Sequence, residues 1–250
     1  NTTDGARDKA MSAVVFVKSE SSTGTGAATD TQDTASGAGT SVGPVVVKSY
    51  TTDDGFGFND AQDHTIPTVN NGDILLAMYG FYGDGTPSPT SGEMTDSDST
   101  FLADFTFLDS EFYESGSSSS VLEAQYRVVD GTEAASYYYG STTQDSYGNG
   151  GWMMRVAGAV GPPTSFTDAT TQQAIPAFTT TQDNSLAVLS MLSYDAVIDT
   201  AAVIAEGWAL VETLDGGEGA LFTKQVSAAD SYARVQVSSS TTDYSPAIVA

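Results

Sequence analysis

A strict alternation of apolar and polar residues in the middle of the chain most constrains its fold. The alternation runs through residues 121–128, where Leu122, Ala124, Tyr126 and Val128 are interleaved with Glu123, Gln125 and Arg127. A period of two is typical of a strand with one face in a core and the other in water. Asp130-Gly131 is a turn signal, and residues 136–139 have the composition of a second strand. We therefore predict a β-hairpin whose polar face is solvated.

The rest of the chain also favours strands. Short apolar or β-prone runs occur at residues 12–18, 45–50, 74–81, 101–107, 152–157, 220–226 and 232–237. Segments rich in Gly, Pro, Asn, Asp and Ser separate these runs, and almost none of the chain has helical periodicity. The pattern predicts an all-β, antiparallel fold.

The second half of the chain repeats the order of the first at an offset of about 100 residues. Ile175-Pro176 matches Ile66-Pro67, and Lys224 falls where Arg127 falls. Two similar antiparallel halves that each need a covering sheet would pack face to face. We predict a β-sandwich of jelly-roll type with an internal near-duplication, spanning residues 44–250.

Residues 1–43 are predicted to form an extended N-terminal arm. The arm holds one short strand, with Val14, Val15, Phe16 and Val17 as its assembly residues, followed by a flexible linker rich in Ser, Thr and Gly. Such a tether would let the strand reach a neighbouring copy, which is a known route to assembly. The alternative is a strand that folds back on its own domain.

The charge of the chain excludes several classes of partner. With 32 acidic and 8 basic side chains the formal charge is -24, which argues against nucleic acid and against anionic membranes. Such a chain repels itself unless salt screens it, so a marine setting would suit it. The alternative is that the acids keep a repetitive assembly soluble. There is no Cys, so neither disulfides nor thiolate chemistry is expected.

Several short motifs occur in a fixed order. They are Pro67, Gly72-Asp73-Ile74, Ser91-Gly92, Tyr126-Arg127-Val128, Gly131-Thr132-Glu133, the segment 176–186 and Gly207-Trp208. In this order they resemble a jelly-roll domain family of tailed-bacteriophage virion structural proteins, which includes head-decoration, fibre and tail-associated proteins. Glu93-Met94 departs from the family pattern, which would place Trp there.

The resemblance implies a non-enzymatic virion structural protein without catalytic residues. A capsid decoration protein at the particle surface is the leading expectation, with copies of itself and the major capsid protein as partners. One alternative is a fibre or tail module that binds a host-surface glycan through Tyr137, Tyr138, Tyr139, Tyr147 and Trp152. Another is an extracellular filament subunit joined by exchange of the N-terminal strand.

Catalytic and metal sites receive little support from the sequence. His64 is the single histidine, and because it sits in a loop of acidic residues we predict a solvated loop residue. A general base would need a nucleophile or substrate within hydrogen-bond reach. No cofactor is expected, with calcium as the alternative, since one acidic loop offers the oxygen ligands that calcium prefers. The candidate calcium ligands are Asp53, Asp54, Asn59, Asp60 and Asp63.

Overall fold

A computed structural model describes most of the strand-forming part of the chain. The described residues are 9–16, 45–53, 62–84, 92–95, 105–115, 118–133, 136–141, 146–159, 161–170, 173–193, 197–214, 219–238 and 245–249. The strands in this part are β1 (Lys9–Phe16), β2 (Val46–Asp53), β3 (Gln62–Thr65), β4 (Ile74–Asp84), β5 (Gly92–Thr95), β6 (Thr106–Ser115), β7 (Ser118–Val128), β8 (Ser136–Ser141), β9 (Ser146–Ala157), β10 (Thr164–Thr170), β11 (Ala174–Ile175), β12 (Phe178–Thr179), β13 (Ser185–Ser193), β14 (Ala209–Leu214), β15 (Gly219–Val226), β16 (Ser231–Tyr232), β17 (Val235–Gln236) and β18 (Ser245–Val249). Every recorded pairing is antiparallel, so the all-β, antiparallel prediction is confirmed.

Two large sheets share one hydrophobic core. The first has the strand order β2-β9-β4-β7-β6, and the second has the order β1-β10-β18-β13-β15-β14. The inner face of the first sheet contributes Ile74, Leu76, Met78 and Trp152, which belong to the same buried cluster as β13 and β15 of the second sheet. Sharing one core gives the molecule a sandwich-like character, as expected for two sheets that each have an apolar face.

A third layer covers the outer face of the first sheet. The small sheet β3-β8-β5 contributes Tyr137, which packs with Leu75, Ala77, Tyr79 and Met153 in a second buried cluster. Strand β4 is therefore buried on both faces from Ile74 to Tyr79. Its continuous apolar run fits this position, since a strand covered on both sides needs no polar face.

The predicted hairpin of β7 and β8 is wrong. Strand β7 pairs with β4 and β6, whereas β8 crosses to the third layer and pairs with β3 and β5. The polar residues predicted to face water, Glu123, Gln125 and Arg127, are buried beneath that layer. Arg127 explains the crossing, because its guanidinium binds the 130–133 segment and turns the chain away from β7.

The two halves of the chain match in several places that support the near-duplication. The pair β4 and β7 corresponds to the pair β13 and β15. Gly72 and Asn184, which precede β4 and β13, both have a positive φ. Arg127 donates to the hydroxyl of Tyr137, and Lys224 lies 5.1 Å from the ring of Tyr232. The jelly-roll connectivity itself and the domain limits 1–43 and 44–250 stay predictions.

One short helix, α1 (Thr200–Ala205), occurs in the described part of the chain, where the sequence pattern predicted none. Asp199 caps it, since its carboxylate accepts a hydrogen bond from the backbone amide of Ala202 at 3.0 Å. Val203 is buried in the main core. No helix in the described ranges has the length and apolar character needed to cross a membrane.

Candidate assembly site

The predicted assembly strand lies against β13. Strand β15 pairs with one edge of β13, and β1 pairs with β13 in eight consecutive positions from Lys9 opposite Ser193 to Phe16 opposite Leu186. On its other side β1 pairs with β10, where Ala13, Val14 and Val15 lie opposite Phe166, Ser165 and Thr164. β1 therefore lies opposite both β13 and β10, although the strand order of the sheet places β18 between those two strands. We call the space between these two strands the strand slot.

Three of the four predicted arm residues are in this strand. Val14, Val15 and Phe16 lie opposite Val188, Ala187 and Leu186 of β13, while Val17 lies outside the described residues. The structure describes one chain, so β1 pairs here with its own domain. The same register would hold if β1 came from a second copy, because backbone pairing depends on the strand and not on its chain of origin.

The C-terminal strand β18 is in register with the same slot. Val249 lies opposite Leu189 of β13 and Phe166 of β10, the two residues that also lie opposite Ala13. Ile248 and Ser12 likewise both lie opposite Ser190 of β13. Strands β1 and β18 are both antiparallel to β13 and to β10, so they run in the same direction in the slot. Sequence reasoning missed β18, although residues 247–249 form an apolar run that could have indicated a strand.

The wall of the strand slot formed by β13 is fully buried. Residues 185–192 of this strand are buried on both faces, as expected for the centre of a sheet. The hydroxyl of Ser190 has no hydrogen-bond partner in the described part of the chain. Because residues 185–192 are buried, β13 depends on neighbouring strands to pair the backbone groups along its two edges. Buried backbone groups without a hydrogen-bond partner cost free energy.

The wall formed by β10 is joined to the first sheet. The hydroxyl of Ser165 donates to the Asp109 carboxylate of β6 at 3.0 Å. Burial raises the pKa of Asp109 above its ordinary value, and the hydrogen bonds from Ser165 and the Ser110 amide oppose this shift. This contact holds β10 against β6 and keeps the slot in place at the edge of the sandwich.

A polar cluster surrounds the buried Arg127 side chain and extends to the exposed residues Asp130 and Thr132. Its guanidinium donates to Thr132 at 2.6 Å and to the carboxylates of Asp130 and Glu133 at 3.2 Å each. Hydrogen bonds from the hydroxyl and the amide of Thr132, together with Arg127, lower the pKa of Asp130 to about 2. The donors of Arg127 are occupied by the protein itself, so the cluster holds the 130–133 crossing in place and offers no open anion site.

The predicted calcium ligands are only partly described. Asp53 is in β2 opposite Gly151, and Asp63 is in β3 opposite Tyr138, so the two belong to different sheets. Asp54, Asn59 and Asp60 lie outside the described residues. Among the residues that the structure describes, no group of three or more His, Asp or Glu side chains could hold a metal ion.

The structure contradicts two other predictions from the sequence. His64 is in strand β3, opposite Tyr137, and not in a loop. Tyr137 and Trp152 are fully buried, so neither can belong to an exposed sugar-binding platform. Tyr138 and Tyr139 are in β8 and Tyr147 is in β9, but their side chains lie outside what the structure describes.

Comparison with protein-family models, with curated proteins and with solved structures finds no match to this chain. The resemblance to phage virion proteins stays a prediction from the residues.

Proposed function

We propose that this chain is a non-enzymatic structural protein that assembles in many copies through its N-terminal strand. The observation that carries the proposal is the position of β1, which lies in a slot between two strands of a buried sheet. A strand that completes such a sheet through main-chain hydrogen bonds is a common way to join two proteins. The roughly 30 residues between β1 and β2 could span about 100 Å when extended, which is enough to reach a neighbour.

The particle form we propose is a capsid decoration protein of jelly-roll type at the surface of a phage virion. Two observations support this form: the short motifs from Pro67 to Gly207-Trp208 occur in a fixed order along the chain, and the core is sandwich-like. The charge of -24 supports an outward-facing position over one that touches the genome, since nucleic acid repels acidic surfaces. Its proposed partners are further copies of this chain and the major capsid protein.

A second form, an extracellular filament, is favoured by the same strand slot. If each copy donates β1 to the next, the contact is head-to-tail, and a head-to-tail contact that does not close gives an open filament. The glycan-binding alternative receives less support, because Tyr137 and Trp152 are in the core.

Assembly of the purified protein tests the proposal. The chain and a variant lacking residues 1–20 are refolded side by side at high concentration, and their masses are measured by analytical ultracentrifugation. Electron micrographs then distinguish particles from filaments. We expect large assemblies from the chain and monomers from the deletion variant. A chain that stays monomeric at high salt and high concentration would overturn the proposal, and so would a deletion variant that assembles like its parent.

A substitution within β1 provides the matched control for the deletion. Val14→Pro removes a backbone N–H in the middle of the strand, whereas Val14→Thr keeps it and keeps a β-branched side chain. We expect Val14→Pro to reduce assembly strongly and Val14→Thr to leave it largely intact. Equal assembly by the two variants would contradict a role for β1 as a paired strand.

A further inference from the structure

We propose that the strand slot is an exchange site in which the N-terminal strand of a second copy, Lys9–Phe16, replaces the acceptor's own C-terminal strand β18. This inference rests on the proposed function, because it specifies how the copies join and what they displace. It follows from one juxtaposition: Ala13 and Val249 lie opposite the same two residues, Leu189 and Phe166.

The slot has room for one strand at a time. A strand has two hydrogen-bonding edges, and β15 occupies one edge of β13. Neighbouring strands in a sheet lie about 4.7–4.9 Å apart, so one edge accepts one partner at each position. Each copy therefore carries two strands for a single place. In the one copy described, both strands lie opposite Leu189 and Phe166, and at such shared positions only one of them can be fully paired. The backbone groups of the other strand are then available to another chain.

The lengths of the connections indicate which strand stays and which one leaves. Strand β18 follows β17 after residues 237–244, and the Val237 amide is already fixed by a hydrogen bond to the carbonyl of Gln173 at 2.8 Å. This short connection keeps β18 near its own slot. Strand β1 is separated from β2 by residues 17–45, a far longer tether that allows it to enter the slot of a neighbour.

Pro246 indicates why β1 can displace β18. It lies within β18, opposite Ala169 of β10, and proline has no backbone N–H to donate to a ladder. Proline is therefore mostly confined to edge strands and strand ends, while the slot lies between two strands. No proline occurs in β1, which pairs with β13 in eight positions against two for β18, whereas β18 pairs with β10 in five positions against three for β1. We therefore infer that β18 pairs in the slot before assembly and that β1 of a second copy replaces it, since β1 lacks proline and pairs with more of β13.

Exchange between copies should depend strongly on concentration. A copy's own β1 competes for its slot, because a tether of about 30 residues with this Ser-, Thr- and Gly-rich composition would hold its end at an effective concentration of the order of mM. Copies must therefore be crowded, or refolded together, before a neighbour's strand is captured. A particle surface or a growing filament end would supply that crowding.

The absence of cysteine from the chain makes disulfide trapping a direct test. One variant carries Ser12→Cys and the other carries Ser190→Cys, at positions that lie opposite each other in the slot. Cα atoms of directly opposed residues in antiparallel strands are about 4.5–5.5 Å apart, within the range that a disulfide bridges. Equal amounts are unfolded under reducing conditions, refolded together at high concentration and then oxidised. Because each variant has one cysteine, a disulfide between Ser12→Cys and Ser190→Cys can form only between copies.

The expected result is a disulfide-linked heterodimer that rises with protein concentration toward about half of the Ser190→Cys chains, the limit at which donors come equally from both variants and each copy's own β1 no longer dominates. The control replaces the acceptor by Thr223→Cys on β15, outside the slot and opposite Val188 on the far edge of β13, and it should give only background crosslinking. If Ser190→Cys does not fold, Met11→Cys and Met191→Cys are the alternative pair in the same register.

A second variant tests the displacement of β18. Ile248→Cys and Ser190→Cys are combined in one chain, where their register allows an intrachain disulfide. The oxidised protein should not assemble, because β18 is locked in the slot, and reduction should restore assembly. An oxidised protein that assembles as fully as the reduced one would overturn the inference.

The outcomes separate this inference from the proposed function. If the chain assembles but the heterodimer stays at the background of the Thr223→Cys control, strand exchange in the slot is wrong and multi-copy assembly stands. If the chain does not assemble under any of these conditions, the proposed function is wrong and the exchange fails with it.

Discussion

At the scale of single residues, Arg127 determines how the chain crosses between layers. Its side chain and that of Glu133 are 6% and 4% exposed, so their charges are removed from water together. A buried pair of this kind contributes little net stability, but breaking it leaves one charge without compensation. Arg127 is therefore a position where one change has a large effect.

Replacing Arg127 by Ala should lower the free energy of unfolding by about 3–5 kcal/mol, because the buried Glu133 carboxylate loses its countercharge and keeps the hydrogen bonds from the Asp130 and Gly131 amides. Urea unfolding followed by circular dichroism measures this. The double variant Arg127→Ala with Glu133→Ala is the control, and it should cost clearly less than the sum of the two single changes. Strictly additive losses would contradict the pairing.

The pH dependence of Asp109 provides a second prediction at this scale. Burial raises its pKa above the ordinary value of 3.8, so the folded chain binds this proton more tightly than the unfolded chain does. The contribution of Asp109 to stability is therefore most favourable below the unfolded pKa and falls as the pH rises through the folded pKa. Asp109→Asn, which keeps an oxygen for Ser165, should gain stability relative to the parent between about pH 3 and pH 7. Urea unfolding at both values checks this, and a relative loss at pH 7 would oppose it.

At the scale of elements, local patterns predicted the strands better than their partners. The runs at 45–50, 74–81, 152–157 and 220–226 fall within or nearly match observed strands, because alternation and β-propensity are local properties. Pairing depends on contacts between distant residues. The predicted β7–β8 hairpin is therefore wrong, because no local pattern reveals that Arg127 is buried. The shared register of β1 and β18 against β13 also depends on distant residues, so no local pattern indicates it.

Gly151 gives a test of packing within the first sheet. It lies in β9, and a Cβ atom added there would come within 2.8 Å of the Tyr79 Cα atom in β4. We expect Gly151→Ala to lower the free energy of unfolding by about 1–3 kcal/mol or more through overpacking. Gly72→Ala is the comparison, because its added Cβ meets nothing within 4 Å and only its φ of +87° is strained. A smaller loss at Gly151 than at Gly72 would count against the close approach of β4 and β9.

At the scale of the whole molecule, the proposed assembly would have to overcome charge repulsion. Each copy has a formal charge of -24, and at low ionic strength this repulsion extends over tens of ångströms. The Debye length falls from about 30 Å at 0.01 M salt to about 3 Å at 1 M. Copies can then approach closely enough for a strand from one to reach the slot of another.

Light scattering should therefore show faster and more complete assembly at 1 M than at 0.01 M sodium chloride, since screening removes the repulsion between copies. The variant lacking residues 1–20 serves as the control and should scatter weakly at both concentrations. Assemblies that dissolve as salt is added would show that attraction between charges, and not strand pairing, holds the copies together.

The layered construction around β4 has a consequence for how the molecule opens. Strand β4 has a neighbour on each edge and a covering layer over each face, so its amide protons reach water only when the sheets separate. In deuterium exchange followed by mass spectrometry, peptides covering residues 74–79 should be the last to gain mass. Residues 209–213 of β14, at an edge, should gain it early.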